Sequence, residues 1–161
     1  MYVYSPDADG AYDPVDRMVL VRVPRDDMKS WERYEFFAGR ASDVQPRWTR
    51  DEMKRVAVLS DRGKCYRSMV SYNAGLKRYI WCVTRPIPEK KGMYGLAIYD
   101  APEPWGPWTT AYVAEPWDVD AGESAGFPTK WISDDGKRLH LVFSGGDAFC
   151  VRRAELVLSG K

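Results

Sequence analysis

Apolar and polar positions alternate with a period of two through most of this chain. That pattern belongs to strands whose side chains point to opposite faces of a sheet. In "YIWCV", Ile80 and Cys82 alternate with Trp81 and Val83; in "RLHLVF", Leu139, Leu141 and Phe143 alternate with His140 and Val142. Three segments share one grammar: an apolar strand, a turn containing Asp or Asn with Gly, then a second strand. They are "YVYSPDADGAYDPVDRMVLVRV" around Gly10, "SMVSYNAGLKRYIWCVT" around Gly75 and "TKWISDDGKRLHLVFSG" around Gly136. Asn-Ala-Gly and Asp-Asp-Gly supply the positive-φ positions that tight hairpins require.

Each hairpin is followed by a further strand: "YEFFAG", "YGLAIYD" and "FCVRRAELVL", with "TTAYVA" as a fourth strand of the second unit. The turn glycines recur about every 60 to 65 residues. Repeats of three or four antiparallel strands are the sequence picture of propeller blades. The pattern predicts an all-β fold, a β-propeller with about three blades, at approximately residues 1–60, 61–117 and 118–161. A β-sandwich with coincidentally similar hairpins is the alternative. Closed propellers have roughly four to eight blades, so the expectation is further blades or closure by self-association, as a homo-oligomer. The start inside a strand, "MYVYSP", leads us to expect an N-terminally shortened member of its class. "RDDMKSWERY" and "TRDEMKRVAV" read as short helical turns or loops, Thr49 being the expected N-cap with Glu52 three residues on. "YDAPEPWGPWTT" reads as the turn between the third and fourth strands of one blade, its two tryptophans a clasp over the exposed blade end or the flank of the next blade.

Composition narrows the functional classes. The net charge of +1 offers no field favouring nucleic acid or an acidic membrane. No apolar run reaches the length of a membrane span, and no secretory signal is visible at the start. Cys65, Cys82 and Cys150 form no C-x-x-C pair; a disulfide framework is not expected, though a single bridge stays open. A single histidine, His140, excludes a histidine-rich metal site, and no cofactor is implied.

The segments "LVRVPRDDMKSWERYEFFAG", "SYNAGLKRYIW", "GLAIYDAPEPWGPWTT", "FPTKWISDDGKRLHLVFSG" and "FCVRRAEL" together resemble a bacterial domain family of formerly unknown function. Its members are five-bladed β-propellers related to the arabinanase and β-xylosidase group of glycoside hydrolases, and some are endo-D-arabinanases. The resemblance runs from about residue 16 to residue 158 and is strongest at "DAPEPWGPWT" and "KWISDDGK". It implies a secreted or periplasmic protein acting on a furanoside, arabinan-type polysaccharide, or a related module that binds glycan or serves as scaffold without catalysis. It also implies catalytic carboxylates drawn from different blades, the first in an N-terminal blade.

Glycoside hydrolysis needs two carboxyl groups flanking the scissile bond. Glu123, in "DAGESAGFPTKW", precedes an inner strand and is the candidate general acid, against the alternative of a solvated loop glutamate. Asp118 and Asp120 share that loop; Asp7, Asp9, Asp134 and Asp135 read as turn residues. Arg67 and Lys130, near the starts of inner strands, are candidate substrate-binding groups or ion-pair partners. Trp131 is a candidate sugar platform or an inter-blade packing residue. His140 reads as a hydrogen-bonded structural histidine, and no cysteine has a partner that would make it a nucleophile.

Overall fold

In the computed structural model the described residues are 1–10, 12–42, 44–87, 93–120, 122 and 124–158. They form twelve strands in three antiparallel sheets, with a few single 3-10 turns between them. The first sheet holds β1 (Tyr2–Pro6), β2 (Val15–Arg22), β3 (Glu35–Ser42), β4 (Gln45–Thr49) and β5 (Leu59–Cys65). The second is a four-stranded meander of β6 (Ser68–Asn73), β7 (Arg78–Pro86), β8 (Tyr94–Ala101) and β9 (Thr109–Ala114). The third holds β10 (Ala125–Gly126), β11 (Arg138–Phe143) and β12 (Cys150–Glu155). The fold is therefore all-β, and the sheets follow one another in chain order like successive blades.

Stacking follows from alternation in β7. Trp81 and Val83 face the first sheet and pack with Met18, Cys65, Ala97 and Tyr99. Ile80 and Cys82 face the third sheet and pack with Leu96, Phe127, Leu139 and Leu141. Strands apolar on both faces are stable only when both faces are covered. The middle sheet is covered on both, and Trp81 is 0% exposed.

The chain departs from the expected pattern at five places. β4 was not foreseen, and β5 pairs with β2 in the first sheet, so the expected boundary at residue 60 falls inside a strand. The expected N-cap Thr49 ends β4. The 3-10 turn Glu52–Lys54 is capped instead by Asp51, whose carboxylate accepts from the Met53 N–H at 3.1 Å. In the third unit "TKWIS" is not a strand. Pro128 offers no N–H for a ladder, the chain makes a 3-10 turn at Thr129–Trp131, and the inner strand shrinks to Ala125–Gly126. In the second hairpin the positive φ falls on Lys77, not Gly75.

Gly75 serves a close approach instead. A Cβ there would lie 2.3 Å from the Gly136 nitrogen and 2.4 Å from the Asp135 carbonyl carbon. The two hairpin turns thus touch backbone to backbone. Asn73, fully buried, joins them: its Nδ2 donates to the Gly136 carbonyl at 2.8 Å, and its Oδ1 accepts from the Leu76 N–H at 3.1 Å.

The Pro-rich turn between β8 and β9 clasps the preceding sheet. Trp108 packs edge-on against Trp81 at 4.9 Å, and Trp105 lies 6.3 Å from both Tyr2 and Trp48. Tyr4 donates its hydroxyl hydrogen to the Pro104 carbonyl at 2.7 Å. The buried indole N–H groups of Trp48, Trp81, Trp105 and Trp108 find no acceptor among the described residues. Each such loss costs about 1–3 kcal/mol, which the packing of the rings must exceed.

Gly75→Ala is expected to destabilise the fold by about 1–3 kcal/mol through overpacking against the 134–136 backbone. Scanning calorimetry checks this; an unchanged melting temperature would show that the two turns do not meet.

Candidate groove and ionic clamp

Two places concentrate polar chemistry. The first is on the outward face of the third sheet. β11 turns Leu139, Leu141 and Phe143 into the core, which leaves Arg138, His140 and Val142 on the opposite face. The 3-10 turn Thr129–Trp131 then lays an indole beside them. The result is an open groove of about 480 Å³ lined by Trp131, Ile132, Ser133, Arg138, His140 and Val151.

The groove is held by its own hydrogen bonds. His140 Nδ1 lies 3.1 Å from the Trp131 carbonyl. A carbonyl only accepts, so Nδ1 carries the proton and Nε2 is the ring's remaining polar atom. The two rings meet edge to face at 6.4 Å, and the Lys130 ammonium sits 5.5 Å from the indole centroid. Ser133 donates its hydroxyl hydrogen to Asp135 at 2.6 Å and accepts from the Arg138 N–H at 2.9 Å. The described lining residues thus offer one aromatic plate, aliphatic flanks, the open Nε2 of His140 and the guanidinium of Arg138, which lies 3.9 Å from the Glu155 carboxylate.

The second place is an ionic clamp where β5 crosses the ends of β7 and β8. Arg85, its side chain 11% exposed, bonds Asp61 and also Glu115, the latter at 3.1 Å. Tyr99 donates its hydroxyl hydrogen to Asp61 at 2.9 Å. Lys64 bonds Glu115 and donates to the Pro86 carbonyl at 3.1 Å. Burial disfavours the Glu115 carboxylate, but the hydrogen bonds and charges of Lys64 and Arg85 outweigh it and hold its pKa below the ordinary value of 4.5. Burial pushes the Tyr99 phenol up, reinforced by its bond to Asp61. A carboxylate held as the anion by two cations is suited to fastening strands, not to donating a proton.

The sequence-expected residues fall apart into separate neighbourhoods. Lys130 and Trp131 come together at the groove. Arg67 does not line it; its guanidinium lies 4.3 Å from the Tyr12 ring centroid and 5.6 Å from that of Tyr66. Glu123 lies outside the described residues. Asp118 is held by Arg152 through contacts of 2.7 and 2.8 Å, and Asp120 accepts from the Gly122 N–H at 2.8 Å. Asp7 is bound by Arg17 and Arg55, each at 2.8 Å. Asp135 takes the Ser133 hydroxyl and the Lys137 N–H in its turn, and these bonds lower its pKa.

Sequence reasoning missed Arg138 and the whole clamp. The clamp partners of Arg85 stand 24 and 30 residues away in the chain. The available signal was a strand ending in Arg-Pro with a carboxylate after the next hairpin, too common to single out.

No family model and no curated protein matches this sequence. Among solved structures the chain is similar to an exo-beta-1,3-galactanase from Phanerochaete chrysosporium, an E208A variant solved with beta-1,3-galactotriose. The match has 14% identity and a TM-score of 0.46; it covers 95% of this chain, which spans 39% of the other.

Two outcomes test the electrostatics. The Glu115 pKa is depressed on folding, so its contribution to stability is present above about pH 4.5 and is lost as pH falls through the folded pKa. Urea unfolding between pH 7 and 3 should therefore show a shallower acid decline in Glu115→Gln than in the parent. Burial pushes the Cys65 thiol up to about 11 and the Cys82 thiol higher still, whereas Cys150 is partly exposed. A thiol reagent at pH 7 should label one cysteine in the native protein, Cys150, and all three in denaturant.

Proposed function

We propose that this chain is the glycan-binding part of a carbohydrate-active propeller, holding a neutral poly- or oligosaccharide across the Trp131 groove. The observation that carries this reading is an indole left 36% exposed beside the polar groups of Arg138 and His140 on the outward face of the third sheet. A sugar ring presents an apolar C–H face, which suits an aromatic plate. Its rim of hydroxyls suits Arg138 as donor and His140 Nε2 as acceptor. Lys130, above the same indole, adds a donor at the groove margin. Arabinan-type furanosides are the first candidates, on the resemblance carried by "DAPEPWGPWT" and "KWISDDGK".

Hydrolysis is the second reading. What favours it is the loop between β9 and β10, which carries Asp118, Asp120 and Glu123 together. With Asp118 paired to Arg152 and Asp120 tied to its own turn, Glu123 is the carboxyl group assigned to the acid role.

Affinity electrophoresis in gels containing arabinan, galactan or xylan separates the readings. Retardation by arabinan should weaken at least tenfold in Trp131→Ala, about 1.4 kcal/mol, with little change in melting temperature because the indole is partly exposed. Unchanged retardation in that variant would remove the groove from the function. Reducing-sugar release that Glu123→Gln abolishes would establish hydrolysis.

A further inference from the structure

The chain contains one histidine, and it stands in the Trp131 groove. β11 and β12 pair so that Arg138 lies opposite Glu155, His140 opposite Arg153 and Val142 opposite Val151. Residues directly opposite on antiparallel strands share a face. Leu139 and Leu141 are buried on the inner face, which leaves these three pairs together on the outward one. The charged groups around the imidazole therefore come from three elements. The 3-10 turn Thr129–Trp131 contributes Lys130, β11 contributes Arg138, and β12 contributes Arg153 and Glu155. The Glu155 carboxylate is shared between the two arginines, 3.9 Å from Arg138 and 3.3 Å from Arg153. Asp134, Asp135 and Lys137, in the turn before β11, are not among the groove's lining residues. Among the described residues, His140 thus faces three cations and one carboxylate that both arginines already engage.

The imidazole supplies the open side-chain acceptor of the groove. Its Nδ1–H donates to the Trp131 carbonyl at 3.1 Å, which fixes the ring and leaves Nε2 facing out. Ser133 Oγ is already engaged on both sides, by Asp135 and by the Arg138 N–H. The Arg138 guanidinium and the indole N–H only donate. Protonation reverses the one acceptor among these groups: Nε2 becomes a donor, and a fourth positive charge joins Lys130, Arg138 and Arg153. A neutral saccharide lying over the ring also displaces the water that solvates that charge, and desolvation disfavours the charged form. Both effects have one sign. The saccharide binds the neutral imidazole more tightly than the imidazolium.

We propose that the proton on His140 gates the groove: the neutral imidazole holds the saccharide and the imidazolium releases it. The gate rests on the glycan reading of the groove and adds its regulation. Linkage is reciprocal, so a ligand that prefers the unprotonated ring expels the proton on binding and is itself expelled as pH falls. Histidine is the side chain whose charge ordinarily changes between about pH 5 and 8. Carboxylates ordinarily titrate well below that range. The α-amino group of Met1 belongs to a different sheet, where it donates to the Val23 carbonyl at 2.7 Å. With a single histidine in the chain, no second imidazole contributes to the transition.

Soluble arabinan is titrated into the full chain by isothermal calorimetry at pH values from about 8 down to about 5. Affinity is expected to fall about three- to tenfold across that range. Repeating the titration near the middle of the range in two buffers of different ionisation heat should show protons released on binding. His140→Gln, neutral throughout and still an acceptor, should lose both the pH dependence and the proton release. Where that variant fails to fold, the two-buffer measurement on the parent protein decides alone. Affinity that is level with pH or rises in acid, proton uptake on binding, or a slope that survives in His140→Gln overturns the gate and leaves the glycan reading standing. No binding heat at any pH overturns the glycan reading, and the gate with it.

Discussion

A sheet that is apolar on both faces cannot stand alone, and the second sheet of this protein is such a sheet. Residues 80–83 of β7 alternate between two cores: Trp81 and Val83 serve one, Ile80 and Cys82 the other. Burying large apolar side chains is worth about 1.5–3 kcal/mol each. The flanking sheets are therefore recruited to both sides. The rest of the architecture follows from seating them: Gly75 and Gly126 leave room for backbone and for Met69, and the tryptophans of the Pro-rich turn close one margin.

Polar groups caught between the sheets are paired across them. Arg85 ties β5 to β7 and to the residue after β9, and Asn73 ties the second hairpin to the third. Removing one partner from such a set leaves a desolvated charge or amide, which is why these groups act as fasteners and not as reagents. Among the described residues, stacking leaves uncovered the outward face of the third sheet, where Trp131, Arg138 and His140 line an open groove.

Strand identity was legible wherever alternation was clean. Leu139, Leu141 and Phe143 are buried as the pattern required, and the turn "YDAPEPWGPWTT" does join the third and fourth strands of one sheet. Legibility failed where a local residue overrode the pattern. Pro128 turned an apolar run into a 3-10 turn, and β5 joined the sheet before it because Val15, Arg17 and Met18 offered an unfilled edge. The clasp tryptophans were recognisable as packing residues. That they fold back onto the preceding sheet was not, since the sequence carries no sign of which neighbour lies within reach.

The candidate site divides along the same line. Lys130 and Trp131 are adjacent in the chain and so share a place in any fold; Arg67 was grouped with them by position in a repeat, but Arg67 precedes β6 and lies beside Tyr12, whereas Lys130 follows the shortened β10. Sequence by itself determined the period-two burial, the hairpin turns and the all-β class, because these depend on residues a few places apart. Only the tertiary structure decided that the third sheet leaves an indole exposed and that the turns at Gly75 and Gly136 meet. Those depend on which surfaces meet, and that is set by the summed packing of segments tens of residues apart.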